Sequence, residues 1–287
     1  MPSTGPICQW WPECQGICHG DLTPNNALHH VHGLDGLTED EVLQILGGPI
    51  TNRIFKGPIG ARIADPIKDH DDPHVPQYLV YPVKWQDVDK RFISEQPCLI
   101  DLGESFEIAH PPEDLGIPGP YRAPELILDN KMGFGTDLWA LGCTLFEIRT
   151  GRKLFCAFDD EDDDYLDFMV QVLGKMPEPW WSTTWEARKR LWKDETDEQG
   201  RAIPTVADVE EPNPGIRRII HPSVAQGARS LGEKLNPGLW YLSTDTHRDI
   251  SQREIEIFSD LLGKLLEYTP EERLSAAAVL DHEWFKL

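Results

Sequence analysis

No stretch of this sequence approaches the ~20 consecutive apolar residues that a membrane-spanning helix needs, which argues against a helical membrane protein. Residues 1–20 lack the apolar run of a secretory signal and carry three cysteines. Cysteine is sparse overall: Cys8, Cys14, Cys18, Cys98, Cys143 and Cys156 are too few for a disulfide scaffold and read as mostly reduced thiols of an intracellular protein, cytoplasmic or nuclear. Positive charge is scarce as well. Against 49 Asp and Glu stand 27 Lys and Arg, a net charge of −22. Phosphate backbones would be repelled, so direct nucleic-acid binding is not expected. Basic partners suit such a chain, although a solvated acidic surface would give the same composition. No internal repeat is visible. What is present is a 40% hydrophobic chain of 287 residues. That is enough apolar material for a sizeable core in one or two domains of roughly 150 residues each.

Residues 1–18 are poorly patterned, with Pro2, Pro6 and Pro12 among Cys and Trp. Thr38 followed by Glu41 has capping-box spacing and predicts a helix over 38–46, stopped by Gly47-Gly48-Pro49. Residues 49–76 are rich in Pro, Gly and Asp and read as loop, with at most one short strand. Strands are expected at 78–83 and 98–100. Leu138, Leu141, Leu145 and Ile148 recur at helical spacing, so a helix buried along one stripe is expected there, closed by Gly151. Further helices are expected at 165–173, 185–192, 254–268 and 275–281, within an otherwise irregular stretch from 176 to 252.

Five short motifs carry chemistry. In His19-Gly20-Asp21-Leu22-Thr23-Pro24-Asn25-Asn26, Asp21 and Asn26 lie five residues apart. One loop can then present a carboxylate that accepts a hydroxyl proton and an amide oxygen that holds a hard cation. Asp101, between the apolar pair Leu99-Ile100 and Leu102-Gly103, suits a metal ligand at the end of a buried strand. Tyr121-Arg122-Ala123-Pro124-Glu125 is the third motif, and Asp137-Leu138-Trp139-Ala140-Leu141-Gly142-Cys143 the fourth. The fifth is Thr269-Pro270-Glu271-Glu272-Arg273-Leu274-Ser275, followed by His282-Glu283-Trp284-Phe285. Each alone is as compatible with a turn, a helix end or a core segment.

Together and in this order they resemble the C-terminal lobe of eukaryotic protein kinases. Residues 19–26 resemble the catalytic loop and 101–103 the metal-binding DFG element, with Leu102 for Phe. Residues 123–125 resemble the APE element, 137–143 the buried central helix, and 269–285 the final helices. The fold implied is mainly α, a kinase-like C-terminal lobe over 19–287. A few short strands would lie near the catalytic loop, with an insert at about 31–95. The resemblance implies ATP and Mg²⁺ as cofactors and transfer of the ATP γ-phosphate to Ser or Thr. Asp21 would act as catalytic base, and Asn26 and Asp101 would hold metal and cofactor. His19, Gly103, Glu125, Asp137 and Arg273 would support the site, with Glu125 and Arg273 as a buried ion pair. Tyr121-Arg122 and the 75 positions between Asn26 and Asp101 point to the clan of cyclin-dependent, MAP and SR-protein kinases. Within that clan the chain is most similar to fungal SR-protein kinases, whose substrates are Arg/Ser-rich.

The departures from the family are as informative. No Gly-rich loop pattern and no strand lysine paired with a helix glutamate are found, and residues 1–18 read as a divergent stub without an N-terminal lobe. A truncated kinase, inactive alone, is therefore expected. The alternative is a non-catalytic module that docks basic proteins. Gly20 stands where the family has an Arg that pairs with a phosphorylated activation-loop residue. The segment from Asp101 to Glu125 offers only Ser105 and Tyr121 as phosphate acceptors, so phosphorylation there is not expected to gate the protein. Thr23 stands where serine/threonine kinases have a Lys. His-Gly-Asp also resembles aminoglycoside- and choline-type small-molecule kinases, which are not expected to carry the later motifs.

The run Asp159, Asp160, Glu161, Asp162, Asp163, Asp164 is either a solvated loop or a docking surface for Arg-rich substrates. Cys8, Cys14, Cys18 and His19 do not match a standard zinc spacing, and no metal is expected there. Trp139 and Trp284 are expected in packing roles, and Trp180, Trp181, Trp185 and Trp192 as cover over the core, the alternative being the lining of a substrate groove. His29, His30 and His32 are expected in exposed turns. A monomer without nucleic-acid or membrane partners is expected.

Overall fold

The computed structural model describes residues 16–56, 65–66, 74, 76–157, 160–198, 201–205, 230–238 and 249–287. Cys8, Cys14, Asp159 and most of the 1–18 stub lie outside the described residues. The chain divides into two compact units, one of residues 1–27 with 99–287 and one of residues 28–98.

The first unit is mainly helical. Its axis is the helix Phe134–Thr150, which buries Leu138, Trp139, Cys143 and Phe146. At Gly142 a Cβ would lie 3.0 Å from the Leu266 side chain, so a larger residue there would press on this contact. The helix Gln252–Leu265 packs against it through Ile255, Phe258, Leu261, Leu262 and Leu265, the face its 3–4 periodicity predicts. Ser251 caps that helix, accepting from the Glu254 N–H. Trp139 stacks on Phe155, and Trp284 stacks on Phe258. Trp180, Trp181, Trp185 and Trp192 are all buried, so they belong to the core itself rather than to a groove lining. The helix Asp162–Leu173 begins at the fourth residue of the acidic run. Three carboxylates in its first turn suit the positive end of the helix dipole. A one-turn helix at Arg188–Leu191 is shorter than the predicted 185–192, because the chain turns at Trp192 into a strand, Trp192–Thr196, paired with Ala202–Pro204.

The second unit is built differently. Ala27–Val31 and Ile93–Leu99 pair as a two-stranded ribbon. The helix Glu39–Leu46 has both bonds of its Thr38/Glu41 capping box. Thr51–Arg53 pairs antiparallel with Tyr78–Val80, and Phe55–Lys56 with Asp65–Pro66. The stretch 49–76 thus holds more strand than its Pro and Gly content predicts, because backbone pairing needs no apolar pattern. Three further expectations are corrected. The strand before Asp101 runs over 93–99, not 98–100, and its Leu99 is exposed together with the following Ile100, because a two-stranded ribbon covers neither of its faces. The strand expected at 78–83 ends at Val80, two residues before Pro82, which has no N–H to continue the pairing. His29 and His30 lie in the ribbon rather than in a turn, with His29 Nδ1 2.8 Å from the Ser94 carbonyl oxygen.

Candidate active site

All the motif residues belong to the first unit. The loop 19–26 is suspended from the central helix by one carboxylate. His19 N–H donates to Asp137 Oδ2 at 2.6 Å and Gly20 N–H to Asp137 Oδ1 at 3.0 Å. Burial pushes the Asp137 carboxyl up from the ordinary Asp range, and the two N–H donors pull it back in part. A second tie comes from Thr144, whose hydroxyl donates to the Leu22 carbonyl at 3.0 Å.

His19 is buried and joins the loop to the strand end. The Asp21 N–H donates to His19 Nδ1 at 3.3 Å, so Nε2 carries the ring proton and donates to the Ile100 carbonyl at 3.1 Å. The Ile100 N–H donates in turn to the Asn26 carbonyl at 2.9 Å. Both main-chain polar groups of Ile100 are therefore held by the loop, which fixes where Asp101 begins. Asp101 itself adopts left-handed backbone, φ 63°. Its carboxylate leans over Gly103, where a Cβ would lie 3.3 Å from Oδ1; a side chain at 103 would crowd it.

Asp21 and Asn26 meet directly. Asn26 Nδ2 donates to the Asp21 main-chain oxygen and to Asp21 Oδ2, each at 2.8 Å. Both amide protons being committed, Asn26 presents its Oδ1 as an acceptor. The other Asp21 carboxylate oxygen, Oδ1, is buried without a hydrogen-bond partner. A buried, unpaired carboxylate oxygen is costly in a structure that serves packing alone.

This donor set fits Mg²⁺. The ion favours hard oxygen ligands and takes only one or two carboxylates from a protein, keeping waters and substrate phosphates as its other ligands. Asn26 Oδ1 and the exposed Asp101 carboxylate are oxygen donors of that kind. No cluster of three His, Cys, Asp or Glu side chains suited to a metal occurs among the described residues, so an all-protein metal cage is not what the loop offers.

Further from the loop, Arg273 grips Glu125. Nη1 and Nη2 donate to the two Glu125 oxygens at 2.6 and 2.7 Å, with side-chain exposures of 0% and 4%. Nη1 also donates to Gly135 O, Nη2 to Tyr268 O and Nε to Glu267 O. All five guanidinium protons are thereby used, and the plane lies over the Trp139 ring at 5.0 Å.

The acidic run has internal partners. Arg122 donates to Asp162, the Trp185 indole to Asp163 at 2.9 Å, and the Tyr165 hydroxyl to Asp160. Two contacts escaped the motif reading. The Tyr121 hydroxyl donates to Glu147, and the Gly116 N–H donates to Glu104 Oε2 at 2.9 Å. Nothing in a glutamate twelve residues before a glycine signals that bond in sequence.

The protein kinase domain family matches residues 92–285, which hold Asp101, Glu125, Asp137 and Arg273; the loop 19–26 precedes the matched range. Among curated proteins, the chain is 33% identical over 175 residues to the serine/threonine-protein kinase SRPK of Physarum polycephalum, covering 56% of this chain and 37% of that one. It is 31% identical over 166 residues to the dual specificity tyrosine-phosphorylation-regulated kinase mbk-2 of Caenorhabditis elegans, covering 58% and 18%. It is 28% identical over 172 residues to the serine/threonine-protein kinase AFC3 of Arabidopsis thaliana, covering 58% and 35%. The chain thus spans less than two fifths of the length of these relatives.

Proposed function

This chain belongs to the protein kinase family, and from that premise we propose that it carries the base and the metal-facing half of a Ser/Thr phosphoryl-transfer site. When bound, Mg²⁺-ATP supplies the transferable phosphoryl group and the metal charge that neutralises it. The chain's own part is to orient the accepting hydroxyl and take its proton at Asp21 Oδ1. Asn26 fixes the other carboxylate oxygen, and with Asp101 it offers oxygen to the metal. The observation that carries this function is the divided Asp21 carboxylate, one oxygen held and one buried and unused.

The substrate class we propose is Arg/Ser-rich protein, by analogy with the SRPK relative and on the strength of the net charge of −22. Carboxylates at 160–164 would attract such chains, although Asp160, Asp162 and Asp163 also serve internal bonds. Neutralising the exposed Asp160, Glu161 and Asp162 is expected to weaken Arg/Ser-peptide binding and flatten its salt dependence. Unchanged binding at low salt would remove this surface from the proposal.

A second function, docking without catalysis, is favoured by one specific feature: Thr23 stands where a phosphate-steadying Lys is expected and is buried. Calorimetry of Mg²⁺-dependent ATP binding by the 287-residue chain, with Asp101→Ala as control, separates the two. Binding that the control abolishes supports the phosphoryl-transfer site, and phosphorylation of an Arg/Ser peptide is then the next assay. No binding leaves the docking function.

A further inference from the structure

We infer that Glu104 is a positioning residue that latches the segment between Asp101 and Glu125 closed with no phosphate group; the segment's importance rests on the phosphoryl-transfer function proposed above, while the latch itself is a matter of geometry. Three observations converge on it. Glu104 Oε2 accepts the Gly116 N–H at 2.9 Å and so bridges twelve residues of the segment. At Gly116 a Cβ would lie 3.2 Å from the Glu104 carboxylate, so the side chain lies flat against that backbone and a residue larger than glycine would crowd it. At Gly20, φ is +79° and a Cβ would meet the Glu104 carbonyl oxygen at 2.2 Å. The loop that carries Asp21 thus rests on the main chain of Glu104, and position 20 has no room for a side chain of any kind.

That last contact has a chemical consequence. A phosphate-dependent segment needs a cation near the loop to receive the phosphate. Position 20 supplies none. Arg122 is the only Lys or Arg from 101 to 125, and it is engaged by Asp162 and by the Ile117 carbonyl. The two hydroxyls of the segment are committed as well. Ser105 Oγ donates to the Leu102 carbonyl at 2.6 Å, and Tyr121 is buried with its hydroxyl on Glu147. A phosphate on Ser105 would lose the Leu102 bond and sit between Glu104 and Glu107 in sequence, where the segment's one Arg is already engaged and its His110 lies on Glu107. It would open the segment. The carboxylate-to-amide bond of Glu104, flanked by the buried anchors Leu115 and Ile117, does the closing instead.

The test is amide hydrogen exchange at Gly116 in the full chain, read by NMR, with the His19 N–H on Asp137 as a reporter of the intact fold. Glu104→Ala is expected to speed Gly116 exchange about tenfold, the loss of one hydrogen bond to a charged acceptor. Glu104→Gln keeps a carbonyl acceptor and is expected to stay within about threefold of the parent, a neutral bond being roughly half as strong. Ser105→Glu is expected to speed exchange. Unchanged exchange in Glu104→Ala overturns the latch, and so does slower exchange in Ser105→Glu. Should Glu104→Ala also expose His19, Glu104→Gln decides alone: protection kept supports the latch, protection lost overturns it. No step of this test needs ATP, so failure of the phosphoryl-transfer function would appear separately, as absent nucleotide binding.

Discussion

The two units of this chain are held together by different physics. Residues 99–287 enclose a continuous core in which Trp139, Phe146, Phe258, Leu261 and Leu262 are buried. In residues 28–98, Val88 is the sole buried hydrophobic among the described residues. The helix Glu39–Leu46 buries none of its side chains, and Tyr78, Leu79, Val80 and Tyr81 are each more than half exposed. The first unit is stabilised by apolar area removed from water, at about 1.5–3 kcal/mol per fully buried large side chain. The second is organised by strand pairing and a capping box, whose bonds contribute about 1 kcal/mol net apiece. Every candidate catalytic residue lies in the unit that has the core. That is the unit able to hold Asp21, Asn26 and Asp101 to fixed positions, since a packed interior transmits constraint and a two-stranded ribbon does not.

The contrast predicts a graded set of substitutions. The largest loss is expected for Arg273→Ala, which leaves the Glu125 carboxylate buried and unpaired at a cost of about 3–5 kcal/mol in urea unfolding. Phe258→Ala is expected to cost about 3–4 kcal/mol in the same measurement, from lost transfer energy and the cavity left under Trp284. Asp137 gives a pH-dependent effect. Its carboxyl is raised by burial, so the folded chain holds that proton more tightly than the unfolded chain. The contribution favours folding below the ordinary Asp range and is lost as pH rises through the raised range. In Asp137→Asn this part of the pH dependence is expected to vanish, read from unfolding midpoints across acid pH. Thr38→Ala, which removes both bonds of the Thr38 hydroxyl to Glu41 and leaves only the residue-38 N–H on the Glu41 carboxylate, is expected to cost about 1 kcal/mol locally, seen as faster exchange in Glu39–Leu46. Leu79→Ala, at a site 59% exposed, is expected to change unfolding by less than about 0.5 kcal/mol. A large effect at Leu79, or none at Phe258, would break the contrast between the units.

Much of the first unit is legible in the sequence, because helices that bury one face must repeat every three to four residues. The face from Ile255 to Leu265 announces itself that way. The stripe Leu138, Leu141, Leu145 and Ile148 finds its helix but not its buried face: Leu138 is buried, Leu141 and Leu145 are half-buried and Ile148 is exposed, while Trp139, Cys143 and Phe146 take the interior. The Thr38/Glu41 box is legible for another reason, being a bond pattern local to four residues. The strands at 51–56 and 65–66 are not legible, since pairing is made by backbone and leaves no composition signal. At the site, order along the chain finds Asp21, Asn26, Asp101, Asp137, Glu125 and Arg273. The Glu104–Gly116 bond and the internal partners of the acidic run are long-range choices of geometry. No spacing rule reaches across 40 residues from Arg122 to Asp162.

The ribbon of Ala27–Val31 and Ile93–Leu99 brings the two ends of the 28–98 stretch side by side. Leu28 O accepts from Cys98 Sγ, and His32 N–H donates to Phe92 O. Once the ends are joined this way, the entropy of closing what lies between grows only logarithmically, about 0.6 kcal/mol for each doubling of length. The ribbon therefore works as a socket: chain can be added or removed beyond it at little thermodynamic cost to the distance between Asn26 and Ile100.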